Sequence, residues 1–353
     1  MNASAATIDR NRRRFLAGGA AAAAAAGLGF PTIARAQTKE LVVGGAASMA
    51  PIFRDSLFPM FEKKYSCKIL FEGTRSLVNL EKMRANKAKP LMSVVLMDDP
   101  VMIIADDEGL IEKMEAGKIP NLAKLTKGTV HRDGKWANYQ IPWAGIAYNT
   151  KRTPGGFQSW TEMWDAKHKG KVILPSLQNT EGVWSLFMAA HLESGKPLEQ
   201  AQYDIDAAFR KLKALKPNIL TVYTNAPQAL NLLETGEAAM IGGQFSSIVL
   251  PRASEGAPVG LSAPKEGAFN MPAGICKIKN CPNPDLADSF INEYLGAEYQ
   301  AIMVVKQHVL PTNPATKLPA GFSVPPKLFG PDWAFISKER AKWVERWNRE
   351  LGA

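Results

Sequence analysis

Short apolar runs that alternate with amphipathic stretches dominate the sequence beyond residue 36, and this alternation most restricts the fold. A first strand is predicted at residues 41–45, followed by a helix over 49–65 that Pro59 kinks or breaks. A strand over 68–71 and a helix to about Lys87 come next, and a strand over 92–97 leads into a further helix. This β-α-β-α-β-α order is typical of an α/β protein.

The pattern changes in the second part of the chain. Residues 130–148 predict a hairpin with Asp133-Gly134 as its turn. A second α/β segment follows over residues 160–241, and a long extended run leads to residue 278. Two helices, a Pro-rich ordered tail over 311–331 and a helix near 338–351 complete the chain. The prediction is therefore an α/β protein built from two segments.

The first 36 residues have the features of an export signal. Arginines at positions 12–14 precede Phe15-Leu16, an Ala/Gly-rich run follows, and residues 34–36 form a small-x-small cleavage site. The consecutive arginines resemble a twin-arginine signal, and an ordinary secretory signal is the alternative. The apolar run is about 15 residues and mostly alanine, short of the ~20 strongly apolar residues that span a bilayer. We expect residues 1–36 to be a cleaved signal peptide of twin-arginine type and the protein to act in the periplasm.

Charge and motif content exclude several classes of protein. The formal net charge of the 353 residues is +10, with Lys and Arg scattered along the chain. No basic stripe with interleaved aromatic residues is present, so we expect no nucleic-acid binding. The sequence also lacks a nucleophile elbow, a His-Glu-x-x-His motif and a phosphate-binding glycine loop. Its histidines occur in unrelated local settings, so we expect no catalytic centre, metal or cofactor; they are His131, His168, His191 and His308.

Three cysteines are too few for a disulfide scaffold. Cys67 lies in an apolar, strand-like run and is predicted to pack in the core. Cys276 and Cys281 are five positions apart, and in an oxidising compartment they either close a small turn or stay free. The absence of a nearby histidine pair argues against a zinc site.

Five segments, in order along the chain, resemble the extracytoplasmic solute-binding proteins of ABC importers. The most similar group includes polyamine-, ferric-ion-, thiamine- and phosphonate-binding members. The segments are residues 141–149 (IPWAGIAYN), 159–175 (SWTEMWD leading to KGKVILP), 236–241 (GEAAMI), 264–267 (PKEG) and 287–314 (ADSFI to LPTNP).

This resemblance implies a periplasmic-binding-protein-like fold of type II. Two α/β lobes are joined by a hinge of two crossing strands, near residues 141–148 and 261–269, with one solute in the cleft between them. Lobe one then comprises residues 37–142 and 264–353, and lobe two comprises residues 143–263. The implied protein is not an enzyme: it is a monomeric receptor that passes its solute to the permease subunits in the inner membrane.

Candidate ligand contacts are the polar side chains at strand ends and helix starts, where open α/β sheets bind ligands. Helix capping is the alternative role for each Ser, Thr, Asn and Asp. The candidates of lobe one are Ser48, Thr74, Arg75, Asp98 and Asp99. The candidates of lobe two are Asn179, Thr180, Thr224, Asn225, Gln244, Phe245 and Ser246. Trp143 and Phe269 are predicted as aromatic walls near the hinge.

Two differences from the sequence patterns of this group of solute-binding proteins narrow the range of possible solutes. Ferric-ion binders of this group place adjacent tyrosines where this chain has Gln-Phe-Ser-Ser at 244–247, which disfavours ferric iron. Polyamine binders place a Trp and an Asp after the Pro-x-Glu-Gly motif, where this chain has Phe-Asn-Met-Pro at 269–272. This difference disfavours a polyamine as the solute, but a polyamine stays an alternative because Asp98 and Asp99 can bind an amine.

The residues therefore favour a small polar organic solute such as an amine, an amino-acid-like compound or a phosphonate. Three alternatives remain: a receptor specific for putrescine or spermidine, an enzyme on the same scaffold, and a ligand sensor for a signalling receptor.

Overall fold

The computed structural model describes residues 39–322 and 324–351. The predicted signal peptide over residues 1–36 lies outside this part of the chain. Every helix within the described ranges is too short or too polar to cross a bilayer.

Thirteen strands and twelve α-helices alternate along the described chain. The strands are β1 (Lys39–Ala46), β2 (Cys67–Thr74), β3 (Val94–Asp98), β4 (Val130–His131), β5 (Trp136–Gln140), β6 (Trp143–Asn149), β7 (Val172–Pro175), β8 (Ile219–Tyr223), β9 (Met240–Phe245), β10 (Val259–Ser262), β11 (Ala268–Asn270), β12 (Ala273–Lys277) and β13 (Leu328–Phe329). The helices are α1 (Ala50–Ile52), α2 (Phe58–Tyr65), α3 (Ser76–Ala85), α4 (Asp99–Asp107), α5 (Gly182–Ser194), α6 (Leu198–Ala201), α7 (Ile205–Leu215), α8 (Ala226–Glu234), α9 (Ser246–Ser254), α10 (Pro284–Tyr294), α11 (Ala297–Gln307) and α12 (Trp333–Leu351).

The strands form two sheets, each at the centre of one lobe. The first sheet has the order β2-β1-β3-β12-β5-β4, and β1 runs parallel to both β2 and β3. The second has the order β13-β11-β6-β9-β7-β8, with β10 paired to β6. Each sheet carries its own apolar core. The predicted α/β class and the hairpin turn at Asp133-Gly134, between β4 and β5, are confirmed.

The chain passes between the two lobes at two short segments, residues 141–142 and 271–272, which we call the crossing segments, and a third time along the longer stretch between α11 and β13. The crossing segments separate β5 from β6 and β11 from β12. The backbone N–H of Met271 donates to the carbonyl of Pro142 at 3.0 Å, so the two segments are bonded to each other. The predicted first crossing, residues 141–148, contains the observed one. The second lies just beyond the predicted 261–269, because residues 268–270 still pair with β6 or β13.

The C-terminal helix corrects the predicted lobe boundaries. Residues 264–353 were expected to belong to lobe one, but β11, β13 and α12 pack with the second sheet. Ile336, Trp343 and Trp347 of α12 are buried in the core that also contains Trp184. The amphipathic pattern of this helix predicts an apolar face, and only the tertiary structure decides which lobe covers it.

The region predicted as one helix over residues 49–65 is divided into short pieces. A 3-10 turn and α1 are followed by one π-helical turn, Phe53–Leu57, and then by α2. Pro59 lies in the first turn of α2 and has no N–H to donate to the preceding turn. The helical backbone nevertheless continues from residue 50 to residue 65, and the π turn, which ends two residues before the proline, is present in place of the predicted break.

All three cysteines are free and buried. Of the two alternatives for Cys276 and Cys281, the structure therefore has separate thiols. Cys276 is fully buried within β12, where it packs in the core of lobe one. Burial raises the pKa of the Cys281 thiol to about 11, which keeps it protonated at neutral pH.

A buried ion pair joins β12 to α10. Lys277 is 4% exposed, and its Nζ lies 2.7 Å from a carboxylate oxygen of Asp288 and 2.8 Å from one of Glu112. We expect Lys277→Met to lower the free energy of unfolding by about 3–5 kcal/mol, because it leaves the Asp288 carboxylate buried without a partner. Urea denaturation measures this change.

The matched control is Lys113→Met, which removes a lysine that is 55% exposed and paired with Asp133. Exposed ion pairs contribute little, so its free energy of unfolding should stay within about 1 kcal/mol of wild type. Equal stabilities of the two variants would contradict a structural role for the buried pair.

Candidate functional site

A cavity of 380 Å³ lies between the two lobes, next to the crossing segments. Lobe one contributes Ala46, Ser48, Met49, Ser76, Leu96, Met97, Asp98, Tyr139, Gln140, Ala273 and Gln307. Lobe two contributes Thr180, Glu181, Phe245, Ser247 and Ile248, and the crossing segments contribute Pro142 and Met271. The carboxyl ends of β1 and β3 point to this cavity, as expected for ligand sites of open α/β sheets.

The acid of lobe one at this cavity is Asp98, the last residue of β3. Its carboxylate accepts a hydrogen bond from the Ser76 hydroxyl at 3.2 Å, at the start of α3. Burial raises the pKa of Asp98, and the hydrogen bond from Ser76 partly opposes this rise. An ammonium group in the cavity would favour the ionised carboxylate.

The acid of lobe two is Glu181, in the loop that precedes α5. It accepts a hydrogen bond from the Tyr223 hydroxyl at 3.2 Å, and that hydroxyl accepts one from the Gln244 amide at 2.7 Å. Burial raises the pKa of Glu181; the positive charge of Arg340 lowers it, and the negative charge of Asp98 raises it further. The two carboxylates thus come from opposite lobes and interact through one cavity.

Gln140 and Gln307 add amide groups to the lining of this cavity. The Oε1 atoms of Gln140 and Gln307 are buried and have no hydrogen-bond partner. None of the described residues that line the cavity is Lys, Arg or His.

The rest of the lining is largely apolar. Phe245, Met97, Ile248 and Met271 contribute hydrocarbon surface beside the carboxylates. Such a surface binds methylene groups, while the acceptors fix the orientation of a polar end. Chemically, the arrangement suits a small solute with a cationic donor and an aliphatic portion.

Some of the sequence-predicted residues meet at the cavity, and others do not. Ser48, Asp98, Thr180 and Phe245 line it. The remaining lining residues were missed by the sequence analysis, Glu181 among them. An acid at a helix start is commonly explained by the helix dipole, so its position alone gave no functional signal. Glu181 makes no side-chain capping hydrogen bond to α5; its carboxylate accepts from the Tyr223 hydroxyl, and the residue lines the cavity.

Several predicted residues make structural hydrogen bonds instead of lining the cavity. Thr74 donates to the Asn79 side chain, and Asn179 donates to the carbonyl of Thr224. Gln244 and Ser246 are fully buried, and the Ser246 hydroxyl accepts from the Trp143 N–H at 3.3 Å. Gln244 precedes the lining residue Phe245 in β9, so its side chain lies on the opposite face of the strand and turns into the lobe.

The other predicted residues lie away from the cavity. Arg75, Thr224 and Asn225 are exposed outside it. Trp143 and Phe269 were expected as aromatic walls, but both are buried in the cores, where Phe269 stacks on Trp184 at 5.0 Å between ring centroids. Their roles in this structure are packing.

Asp99 is adjacent to Asp98 but faces the core of lobe one. One carboxylate oxygen accepts hydrogen bonds from the Asn138 amide at 2.6 Å and the Trp136 indole at 3.1 Å. The other oxygen lies 3.6 Å from Nε2 of His131. Burial raises the pKa of Asp99 to about 6, while the attraction of His131 and the two hydrogen bonds oppose the rise.

This raised pKa predicts a pH dependence of stability. The folded state binds the Asp99 proton more tightly than the unfolded state does, so stability falls as the pH rises from about 4 to about 6. Between pH 4 and pH 7, wild type should lose up to about 3 kcal/mol more of its free energy of unfolding than Asp99→Asn does. Urea denaturation at several pH values, with the exposed Asp55→Asn as control, measures this; identical pH profiles would contradict it.

Comparisons with known proteins fit this geometry. Residues 60–330 match the family model described as "Bacterial extracellular solute-binding protein". The chain is 26% identical over 276 residues to the gamma-aminobutyric acid-binding protein of Pseudomonas aeruginosa, covering 75% of this chain and 74% of that protein. It is 24% identical over 254 residues to the spermidine/putrescine-binding periplasmic protein of Escherichia coli, covering 70% and 69%.

Solved structures share the fold. An ABC transporter structure from Clostridium perfringens superposes with a TM-score of 0.73 at 23% identity, covering 88% of this chain and 99% of that one. An ABC transporter substrate-binding protein from Bradyrhizobium japonicum superposes with a TM-score of 0.73 at 24% identity, with the same coverage. These likenesses confirm the predicted two-lobed α/β fold.

Proposed function

Because the chain belongs to the bacterial extracellular solute-binding protein family, we propose that its interlobe cavity binds a small organic solute through an ammonium group held between Asp98 and Glu181. Family membership confirms the solute-binding class that the sequence predicted. The observation that carries the proposal is the pair of carboxylates, one from each lobe, in a cavity whose described lining has no basic side chain.

The acceptors fit an ammonium group. A primary ammonium donates three hydrogen bonds and accepts none. Asp98 and Glu181 supply carboxylate acceptors from opposite sides of the cavity. A solute that binds both lobes together stabilises the arrangement in which they approach, which is how such a receptor would close on its ligand.

The relatives support an amine over an anion. Gamma-aminobutyric acid, spermidine and putrescine, named for two of the relatives, all carry an amino group. A phosphonate would need cationic partners that the described lining does not offer, and it would face two carboxylates. The solute class proposed from the sequence therefore narrows to compounds that carry an ammonium group.

The remaining steps of the proposal follow from this binding role. The protein is exported to the periplasm, its signal peptide is removed, and the monomeric receptor delivers the solute to the permease of an ABC importer. We propose that it acts as a receptor and not as an enzyme, in line with relatives that are named for binding a solute. A signalling receptor as partner, or turnover of the bound solute, are the competing functions.

Titration calorimetry with n-butylamine, gamma-aminobutyric acid, putrescine and butyrate tests the proposal. We expect the amines to bind and butyrate not to bind. Asp98→Asn and Glu181→Gln should each weaken amine binding about 10- to 100-fold, because each removes a hydrogen bond to a charged group. Chemical analysis of the amine after incubation tests for turnover.

Asp99→Asn is the matched control, because Asp99 adjoins Asp98 in sequence and does not line the cavity. Its amine affinity should equal that of wild type. Binding of butyrate in preference to every amine, or amine affinities that do not change in Asp98→Asn and Glu181→Gln, would refute the proposed site.

A further inference from the structure

We propose that Arg340 is a positioning and selectivity residue of the cavity. Its guanidinium holds the loop that carries Thr180 and Glu181, and its charge matches the cavity to a solute with one ammonium group in preference to two. This inference rests on the proposed function above.

The first observation is a pair of hydrogen bonds from α12 to the loop between β7 and α5. The Nε atom of Arg340 donates to the carbonyl of Leu177 at 2.7 Å, and its Nη2 atom donates to the carbonyl of Asn179. Arg340 is partly buried, and the planar guanidinium presents its donors in a fixed fork. The second carbonyl directly precedes Thr180 and Glu181, so the guanidinium fixes the backbone that carries both lining residues.

The second observation is the tightness of this loop. A Cβ atom on Gly182 would lie 2.2 Å from the carbonyl oxygen of Ser176, so the start of α5 packs directly against the start of the loop. The carbonyl of Asn179 also accepts the Gly182 N–H at 3.1 Å. With little freedom inside the loop, a clamp at Leu177 and Asn179 sets where the Glu181 carboxylate enters the cavity.

The third observation concerns charge. With Asp98 and Glu181 ionised, the guanidinium leaves this group of three with one net negative charge. Arg340 lies outside the cavity lining, yet its charge acts on Glu181, whose pKa it lowers. One ammonium therefore neutralises the group, whereas a second ammonium of a diamine would lack a countercharge. A charge that is removed from water without a countercharge is costly.

The helix that carries Arg340 also connects the lobes. α12 packs in the core of lobe two and contacts α4, the helix of lobe one that begins directly after Asp98. Arg340 is thus held by an element that contacts both lobes. It acts on the solute through Glu181, which makes it a positioning residue and not a ligand contact.

The test compares n-butylamine with putrescine, two amines with the same four-carbon chain and one or two ammonium groups. Calorimetry gives both dissociation constants for wild type, Arg340→Gln, Arg340→Lys and Arg349→Gln. We expect Arg340→Gln to shift the ratio of the two constants at least 10-fold in favour of putrescine. Arg340→Lys keeps the positive charge but loses the forked donors of the guanidinium. Both amines should therefore bind more weakly, while the ratio of their dissociation constants stays within about twofold of wild type.

Arg349→Gln is the matched control, because it removes the same charge from the same helix at a position that is 69% exposed. Both affinities should equal those of wild type. If Arg340→Gln does not fold by circular dichroism, Arg340→Lys decides: a preserved ratio with weaker binding supports the inference, and any other result overturns it.

The two proposals fail in different ways. An unchanged ratio in folded Arg340→Gln, with amine binding still dependent on Asp98 and Glu181, overturns the role of Arg340 and leaves the amine site intact. Failure of wild type to bind either amine overturns the proposed function itself.

Discussion

The hydrogen bond from the Met271 N–H to the Pro142 carbonyl lies at the point on which the rest of the structure depends. It joins the two short segments through which the chain passes from one sheet to the other. Next to it, Ile141 and Leu310 exchange backbone hydrogen bonds at 2.9 and 3.0 Å, which ties the first crossing to the segment after α11. Because both sheets end at these crossings, the strand ends of both lobes face one cavity, and the candidate ligand groups are side chains from distant parts of the sequence.

The segments that carried the family resemblance mainly build lobe two. Ser159 and Glu162 form a capping box at the 3-10 helix Trp160–Trp164. Glu266, from the Pro-Lys-Glu-Gly segment, accepts hydrogen bonds from the Ser159 hydroxyl and the Trp160 N–H. The Trp160 indole donates to the carbonyl of Gly267 at 2.8 Å. These segments therefore indicate the fold reliably and do not identify the solute, because Pro142 and Gln307 are the only described residues of these segments that line the cavity.

Part of the candidate site could be predicted because parallel strands end at one edge of a sheet. Ser48 and Asp98 follow from this rule, and both line the cavity. The rule does not say which of two neighbouring polar residues faces outward: Asp98 lines the cavity, and Asp99 turns into the core. Gln140 and Gln307 were missed because only the tertiary structure brings β5 and α11 to the cavity.

The sequence by itself determined the secondary structure, the α/β class and the solute-binding family, because these depend on local periodicity and on motifs within short segments. Only the tertiary structure decided that α12 covers lobe two, because its apolar face fits either lobe until Trp343 and Trp347 meet their core. It also decided that Asp98, Glu181 and Arg340 act together. Their separation along the chain hides this relation, and only the crossings between the sheets and the packing of α12 bring their charges within reach of each other.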